Sequence, residues 1–196
     1  TADDIKEAIR TYQNHSRIPL LIGVDEEGGI VVRVSANENL RSSPFQSLQE
    51  LYGQGGMARI LEDTKEKDAL LVSLGINVNF APVVDVSPNP EDYMYDRALG
   101  QDAAATADFA AQVIGQMSAD NMGSVLKHFP GYGSNVDTHT GIAVDERPLE
   151  TFLEEDLLPF GEFTAGEGKT AILVSHNIVT CLDAQLPASL SPRVNA

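Results

Sequence analysis

Residues 124–133 read SVLKHFPGYG, an apolar run that ends in Lys127 and His128 and continues into a glycine-rich loop. Three other apolar runs also end in an ionisable residue: PLLIGV before Asp25, APVV before Asp85 and AILVS before His176. In a (β/α)8 barrel the carboxyl ends of the strands converge on one face and build one site. An open doubly wound sheet would instead spread them along a crevice. The pattern favours the barrel.

Segments with helical periodicity separate these runs. The apolar spacing predicts helices at residues 3–14, 47–74, 102–121 and 149–163. One face of the third helix would carry Phe109, Val113, Ile114 and Met117. The continuous apolar run at 19–24 is typical of a strand buried on both faces. Alternating strands and helices are typical of parallel α/β architecture. Because no internal repeat or composition shift marks a boundary, we expect one domain over residues 1–196.

The composition argues against several classes of partner. The 196-residue chain has a formal net charge of −16, which disfavours nucleic acid because phosphate backbones attract clustered Lys and Arg. Cys181 is the only cysteine, so the chain has no internal disulfide and no cysteine metal cluster. No apolar run approaches the roughly 18 residues that a membrane helix requires, so we expect no membrane insertion. No signal peptide is visible either.

Asp137-Thr138-His139 follows the glycine-rich loop and suggests proton-transfer chemistry. An Asp two residues away can hydrogen-bond one ring nitrogen of His139, which fixes the tautomer and leaves the other nitrogen to handle a proton. The neighbouring carboxylate also stabilises the protonated imidazole, which suits a general acid. The structural alternative is a polar turn in which Asp137 caps its own backbone.

Other motifs are candidates for ligand contacts. The acids of DEEGG, residues 25–29, can accept hydrogen bonds from a polyhydroxyl ligand and Arg33 can donate several, although a solvated acidic turn explains them equally well. Arg97 lies beside an Asp, where a weak surface ion pair is the simpler interpretation. Neighbours in a regular strand point to opposite faces. Only one of Lys127 and His128 would then face the barrel interior, unless the strand end brings both to its mouth.

His and carboxylate side chains at strand ends could also bind a divalent metal ion. The candidate ligands would be His128, His139, His176, Asp25, Asp85 and Asp137. The sequence contains no H-x-H or H-E-x-x-H pairing. We therefore expect no metal site and keep a metal-dependent barrel hydrolase as an alternative.

Taken together, these motifs resemble glycoside hydrolase family 3, especially its bacterial β-N-acetylglucosaminidase branch. The resemblance covers nearly the whole chain in order: PLLIGVDEEGG with Arg33, INVNFAPVVDV, DRALG, SVLKHFPGYG, DTH, SHNIV and LDAQLPASLS. It implies a TIM-like (β/α)8 barrel and a retaining mechanism that needs neither a metal nor a cofactor.

The resemblance also implies roles for individual residues. Five of them match positions that grip the sugar: Asp25, Arg33, Arg97, Lys127 and His128. Asp137 and His139 match a dyad in which the His acts as general acid/base. The β-glucosidase branches take their acid/base from another domain, so DTH favours N-acetylglucosaminide chemistry. Tyr132 stands where many relatives have His, and Thr138 where Ser is common.

The family nucleophile is an Asp at the end of a later strand, beyond the PASLS segment. Neither Asp85 nor Asp183 matches it. The resemblance therefore implies an incomplete barrel that lacks the first and the last strands, with no nucleophile in this chain. We expect the chain alone to be inactive, and we expect its unpaired strand edges to favour association between chains.

The function that follows is removal of terminal β-linked N-acetylglucosamine from cell-wall or chitin-derived sugars. A non-catalytic sugar-binding module is the alternative from a different class, and a metal-dependent hydrolase is the third. The sequence leaves open which saccharide is cleaved and whether water or phosphate accepts the sugar. It also leaves open whether the protein resides in the bacterial cytoplasm or outside the cell envelope.

Overall fold

The computed structural model describes residues 1–138, 140–161 and 169–195. The helices in these ranges are α1 (Ala2–His15), α2 (Leu48–Leu74), α3 (Ala103–Ala119), α4 (Leu149–Thr151) and α5 (Leu158–Gly161). The strands are β1 (Gly23–Val24), β2 (Val78–Asn79), β3 (Gly123–Phe129), β4 (Val144–Asp145), β5 (Thr170–Val174) and β6 (Ile178–Val179). A π-helical turn covers Phe152–Asp156, and a 3₁₀ turn covers Ala188–Leu190. None of the described helices is both long and apolar enough to cross a membrane.

Four strands form a parallel sheet in the order β1-β2-β3-β5, and helices connect each strand to the next. Backbone pairing extends beyond the strand bounds, since Phe80 N donates to Val24 O at 2.8 Å and Val84 N donates to Lys127 O at 2.9 Å. Strands joined by helical crossovers in one parallel sheet are the βαβ pattern. The predicted parallel α/β architecture is therefore confirmed.

Helix α2 shows how local sequence sets the element bounds. Ser47 begins it with a capping box, in which Ser47 N donates to the Glu50 carboxylate at 2.9 Å and Glu50 N donates to Ser47 Oγ at 3.3 Å. Gly75 ends it with a φ of 93°, a left-handed conformation that glycine adopts without steric cost. Non-helical dihedral angles at Gly55 and Gly56 interrupt the helix, and the apolar pattern did not predict this break.

The main hydrophobic core lies between the sheet and helices α2, α3 and α5. The predicted inner face of α3 is buried in it: Phe109, Val113, Ile114 and Met117. Phe160 of α5 packs edge to face on Phe129 of β3, with ring centroids 5.2 Å apart. The predicted core face of the third helix is therefore confirmed.

Strand β1 differs from its prediction. Leu21, just before it, is 83% exposed and Gly23 is also exposed, so this strand is not buried on both faces. Leu21 borders an open depression of about 740 Å³ together with Phe80 and Val125. The apolar run therefore faces this depression where the sequence predicted a packed layer.

The segment after residue 140 departs furthest from the sequence prediction. The helix expected at 149–163 is divided into α4, the π-helical turn and α5, and residues 162 and 163 lie outside the described residues. Pro159 has no N–H group with which to continue a regular helical ladder. Strands β4 and β6 form a separate parallel pair that the sequence did not predict.

Candidate active site

The carboxyl ends of the parallel strands border an open cleft of about 540 Å³. Its charged and polar lining comes from different strand ends and connections: Asp25, Glu27, Arg33, Tyr93, Arg97, Lys127, His128, Tyr132, Thr138, Ser175 and His176. Asp85 is 1% exposed and lies against His128. The predicted convergence of strand-end residues is therefore confirmed.

Glu27 is the centre of the charged network in this cleft. Its carboxylate accepts two hydrogen bonds from Arg97, from Nε at 3.0 Å and from Nη2 at 2.7 Å. Lys127 Nζ lies 2.6 Å from Glu27 Oε1. All three side chains are at most 12% exposed, so water screens these contacts little. Although burial opposes it, the Glu27 carboxylate raises the pKa of Arg97, which therefore stays charged.

Lys127 lies between two carboxylates, although only 2% of its side chain is exposed. Its Nζ is 2.8 Å from Asp25 Oδ1 and 2.6 Å from Glu27 Oε1. Asp25 is the accessible member of the group, with 41% of its side chain exposed. An ammonium group has three donors; one of them binds Asp25, while Glu27 lies at ion-pair distance. A ligand hydroxyl can therefore accept a hydrogen bond from Lys127 and donate one to Asp25.

His128 reaches the cleft because β3 is irregular at its end. The pairing of β3 with β5 shifts register between Lys127 and Phe129, and such bulges re-aim side chains. His128 Nδ1 lies 2.7 Å from Asp85 Oδ2, and Nε2 lies 3.4 Å from Arg97 Nη2. A guanidinium group only donates, which assigns Nε2 as the acceptor and Nδ1 as the protonated nitrogen. Lys127 and His128 both line the cleft, the outcome that the sequence left open.

Asp85 connects this network to the loop after β3. Its Oδ2 pairs with the His128 ring, and its Oδ1 accepts a hydrogen bond from Tyr132 N at 2.9 Å. The sequence marks Asp85 only as a strand-end acid and a candidate metal ligand. Within the described ranges, no group of three or more His, Cys, Asp or Glu side chains is arranged to hold a metal ion.

Arg33 lies exposed at the rim of the cleft, where its Nη1 donates to the adjacent backbone carbonyl at 3.0 Å. The buried carboxylate of Glu26 holds the turn before it by accepting hydrogen bonds from the backbone N–H groups of residues 33–35 at 2.6–3.1 Å. A Cβ on Gly28, whose φ is 109°, would lie 2.2 Å from a backbone oxygen, so this position requires glycine. Glu26 is therefore structural, whereas the other two acids of DEEGG line the cleft.

The loop after β3 carries the predicted acid/base dyad. The Tyr132 hydroxyl is hydrogen-bonded to Thr138 N at 2.9 Å and to Thr138 Oγ1 at 3.0 Å. The Asp137 carboxylate lies beside the side chain of Tyr93, and burial together with this carboxylate raises the pKa of that phenol. No sequence motif pointed to Tyr93. His139 lies outside the described residues, so its pairing with Asp137 and its role stay predictions.

Known proteins match this chain along almost its whole length. A family model described as the glycosyl hydrolase family 3 N terminal domain matches residues 1–195. A beta-hexosaminidase of Xylella fastidiosa (strain M12) is 40% identical over 163 residues, which are 81% of this chain and 48% of that protein. The solved structure of LpqI from M. tuberculosis has a TM-score of 0.87 at 29% identity and covers 100% of this chain and 56% of that one. A family 3 β-N-acetylglucosaminidase structure from Paenibacillus sp. str. FPU-7 has a TM-score of 0.87 at 26% identity. The match covers 98% of this chain and 37% of that one.

These superpositions identify the parallel sheet and its helices as part of a TIM-like barrel, as the sequence predicted. The chain spans about half or less of the length of these relatives, with 48% of the Xylella protein and 56% of the LpqI structure covered. It therefore corresponds to one portion of a longer protein in each comparison.

Proposed function

This chain belongs to glycosyl hydrolase family 3, and we propose that the protein it forms part of removes terminal β-linked N-acetylglucosamine from cell-wall or chitin-derived saccharides. Relatives named beta-hexosaminidase at 40% and 34% identity support the substrate class. The observation that carries the proposal is the cleft in which Asp25, Arg97, Lys127 and His128 converge around Glu27.

The cleft has the hydrogen-bonding character that a sugar requires. Each sugar hydroxyl both donates and accepts, so it fits between a carboxylate such as Asp25 and a cation such as Lys127. Arg33 at the rim adds further donors, and His128 helps to orient the Arg97 guanidinium through Nε2. Because Glu27 already fixes the buried cations, the sugar meets groups that do not have to be ordered on binding.

The proposed chemistry is a double displacement at the anomeric carbon. His139, held by Asp137, would protonate the glycosidic oxygen while a carboxylate attacks the anomeric carbon and the bond to the leaving group breaks. The product is a covalent glycosyl-enzyme intermediate. Neutral His139 would then take a proton from water, whose oxygen attacks the same carbon and releases the carboxylate. Two inversions leave the configuration unchanged.

The family resemblance implies that the nucleophile comes from sequence outside this chain, and the contacts of Asp85 and Asp183 fit that expectation. Asp85 is buried and both of its oxygens accept hydrogen bonds from the protein. Asp183 accepts hydrogen bonds from Gln185 N at 2.9 Å and from Ser191 Oγ at 2.7 Å, and these lower its pKa while tying it to its own loop. We therefore infer that residues 1–196 act as a single partial barrel catalytic domain, which supplies the sugar-binding residues and the general acid/base. We also infer that this chain alone is inactive.

The test compares this chain with the full-length protein, meaning the product of the complete gene. Both are assayed for release of nitrophenol from nitrophenyl N-acetyl-β-glucosaminide and from nitrophenyl β-glucoside. We expect turnover only by the full-length protein, with preference for the acetylated sugar. Asp137→Asn in the full-length protein is the matched variant, because it keeps the shape of the side chain and removes its charge.

Each outcome bears on a different part of the proposal. Turnover by this chain alone would refute the absence of the nucleophile. Faster turnover of the glucoside would refute the substrate class. If the full-length protein cleaved neither substrate but bound N-acetylglucosamine in calorimetry, the non-catalytic sugar-binding module would replace the enzyme.

A further inference from the structure

Two tyrosines line the cleft beside the loop that carries Asp137, and the mechanism above gives neither of them a role. Tyr132 is 4% exposed, and its ring centroid lies 5.7 Å from that of Tyr93 and 5.7 Å from that of His128. Tyr93 comes from the connection after β2 and is 38% exposed. The pair therefore joins two separate connections at the mouth of the cleft.

Tyr132 engages the loop through both its backbone and its side chain. Its N–H donates to Asp85 Oδ1 at 2.9 Å, which fixes the residue to the segment that follows β2. Its hydroxyl accepts a hydrogen bond from Thr138 N at 2.9 Å and donates to Thr138 Oγ1 at 3.0 Å. A phenolic hydroxyl can serve as donor and acceptor at once, so both contacts form together. Removal of this oxygen would leave the backbone N–H of Thr138 without that partner.

Tyr93 engages the neighbouring residue of the same segment. Its ring packs on that of Tyr132, and its hydroxyl lies beside the Asp137 carboxylate, to which it can donate. Partial burial, together with this carboxylate, raises the pKa of Tyr93, so its hydroxyl remains a donor throughout the neutral range. A carboxylate offers about four lone-pair positions, and one bond from Tyr93 leaves Asp137 able to accept another from an imidazole.

The other end of the loop is fixed by a different cluster. Arg147 Nη2 lies 2.8 Å from Asp145 Oδ2, and its Nη1 lies 2.8 Å from Asp156 Oδ2. Asn135 Nδ2 also donates to Asp145 Oδ2, at 3.0 Å. A Cβ on Gly133 would lie 2.5 Å from Arg147 Nη2, so the loop backbone packs directly on this cluster. The root of the loop is thus held by buried charges, and its far end is held by the two tyrosine hydroxyls.

We infer that Tyr93 and Tyr132 are positioning residues that hold the Asp137–Thr138 segment, and with it the acid/base dyad, at the mouth of the cleft. The inference rests on the proposed function, because the place of Asp137 matters to the rate only if the dyad transfers a proton. A misplacement of about 1 Å can lower a rate by about a hundredfold. The loss of rate caused by a misplaced dyad must also be larger for substrates whose leaving group needs protonation.

The experiment measures kcat and KM of the full-length protein carrying Tyr132→Phe or Tyr93→Phe. One substrate is a disaccharide of β-linked N-acetylglucosamine, whose leaving sugar needs protonation. The other is dinitrophenyl N-acetyl-β-glucosaminide, whose leaving phenolate does not. Tyr95→Phe is the matched control, because Tyr95 lies near Tyr93 in the chain and no hydrogen bond from its hydroxyl to a described residue is present.

We expect Tyr132→Phe to lower kcat for the disaccharide by about tenfold to a hundredfold, and its rate on the dinitrophenyl substrate to stay within about twofold. Tyr93→Phe should show the same selectivity with a smaller loss, about threefold to tenfold, because it removes one hydrogen bond and not two. Tyr95→Phe should leave both rates unchanged. An equal loss on both substrates would mean that the hydroxyls only stabilise the fold, and no loss would mean that the contacts are dispensable. Either result overturns the inference.

Asp137→Asn separates failure of this inference from failure of the proposed function. If Asp137→Asn itself shows no loss that is selective for the disaccharide, the dyad is not the acid/base and both proposals fall. If Asp137→Asn shows the selective loss and Tyr132→Phe does not, the proposed function stands and only the positioning role is refuted.

Discussion

Replacing Asp68 with Asn should stabilise the protein at alkaline pH and remove part of the pH dependence of its stability. Asp68 lies in α2, is 1% exposed and borders a water-sized cavity of about 30 Å³ with Thr64 and Phe109. Among the described residues, neither of its carboxylate oxygens has a hydrogen-bond partner. Burial, reinforced by the charge of Asp120 and partly offset by Lys67, raises the pKa of Asp68 to about 7.

The magnitude follows from the difference between the folded and unfolded pKa values. An unperturbed Asp titrates at 3.8, so between about pH 4 and pH 7 folded Asp68 keeps a proton that the unfolded chain has lost. Stability therefore falls as the pH rises through this window and levels off above about pH 7. A pKa difference of about 3 corresponds to about 4 kcal/mol at about 1.4 kcal/mol for each pH unit.

The assay is urea unfolding of wild type and Asp68→Asn at about pH 5 and about pH 8. The amide resembles the protonated carboxyl in shape and lacks a charge, so at about pH 8 the variant should be more stable by up to about 4 kcal/mol. At about pH 5 the advantage of the variant should fall to about 2 kcal/mol, because only about 1 pH unit of the window between the two pKa values has then been crossed. A variant that is no more stable than wild type at about pH 8 would refute the reasoning.

Asp63→Asn is the matched control in the same helix. Asp63 is also buried, at 2% exposed, but its Oδ2 lies 3.2 Å from Lys67 Nζ. Removing its charge leaves a buried cation without this partner and should destabilise the protein by about 3–5 kcal/mol. The two isosteric substitutions should therefore have opposite signs at about pH 8, a result that a general effect of Asp→Asn replacement cannot produce.

Two further substitutions test the charged clusters around the cleft. Glu27→Gln removes the carboxylate that the buried cations Arg97 and Lys127 share. Urea unfolding should then show a loss of stability of about 3–5 kcal/mol, and calorimetry should show no binding of N-acetylglucosamine. Unchanged stability and binding would contradict the central role of Glu27 in this network. Arg147→Ala leaves Asp145 and Asp156 buried without their cation and should destabilise the protein by about 3–5 kcal/mol at about pH 8. The loss should shrink towards about pH 5, because Asp156, whose pKa burial raises to about 6, then takes up a proton; an equal loss at both pH values would contradict this reasoning.

The sequence predicted the convergence of strand-end residues because that result depends on local pattern alone. An apolar run followed by an ionisable residue places the latter at a carboxyl strand end, and parallel strands bring such ends together. Which acid of DEEGG binds the cations could not be read in this way. Glu26 and Glu27 differ by one position, and their roles depend on where the turn at Gly28 directs them, a tertiary feature.

The contacts of the loop after β3 could not be predicted from the sequence for a related reason. The Tyr132–Thr138 bond joins residues six positions apart within a loop, where no period constrains the backbone. Tyr93 and Asp137 come from two loops that follow different strands, and an exposed tyrosine in a polar connection gives no signal on its own. The irregular end of β3 likewise decided between the two orientations that a regular strand allowed for Lys127 and His128.

The charges of the cleft are compatible with the proposed sugar ligand although the chain as a whole is acidic. The net charge of −16 belongs to the chain as a whole, whereas around the cleft the carboxylates of Asp25, Glu27 and Asp85 are matched by three cations: Arg33, Arg97 and Lys127. Because the buried ions satisfy one another on folding, a neutral sugar exchanges water hydrogen bonds for protein ones without stripping an ion of its hydration. An anionic ligand would have to lose its own hydration shell and compete with Asp25 and Glu27 for the same cations. The arrangement therefore favours an uncharged polyhydroxyl over an anion at this position, as the proposed function requires, and it assigns Glu27 the role of holding the two cations in place.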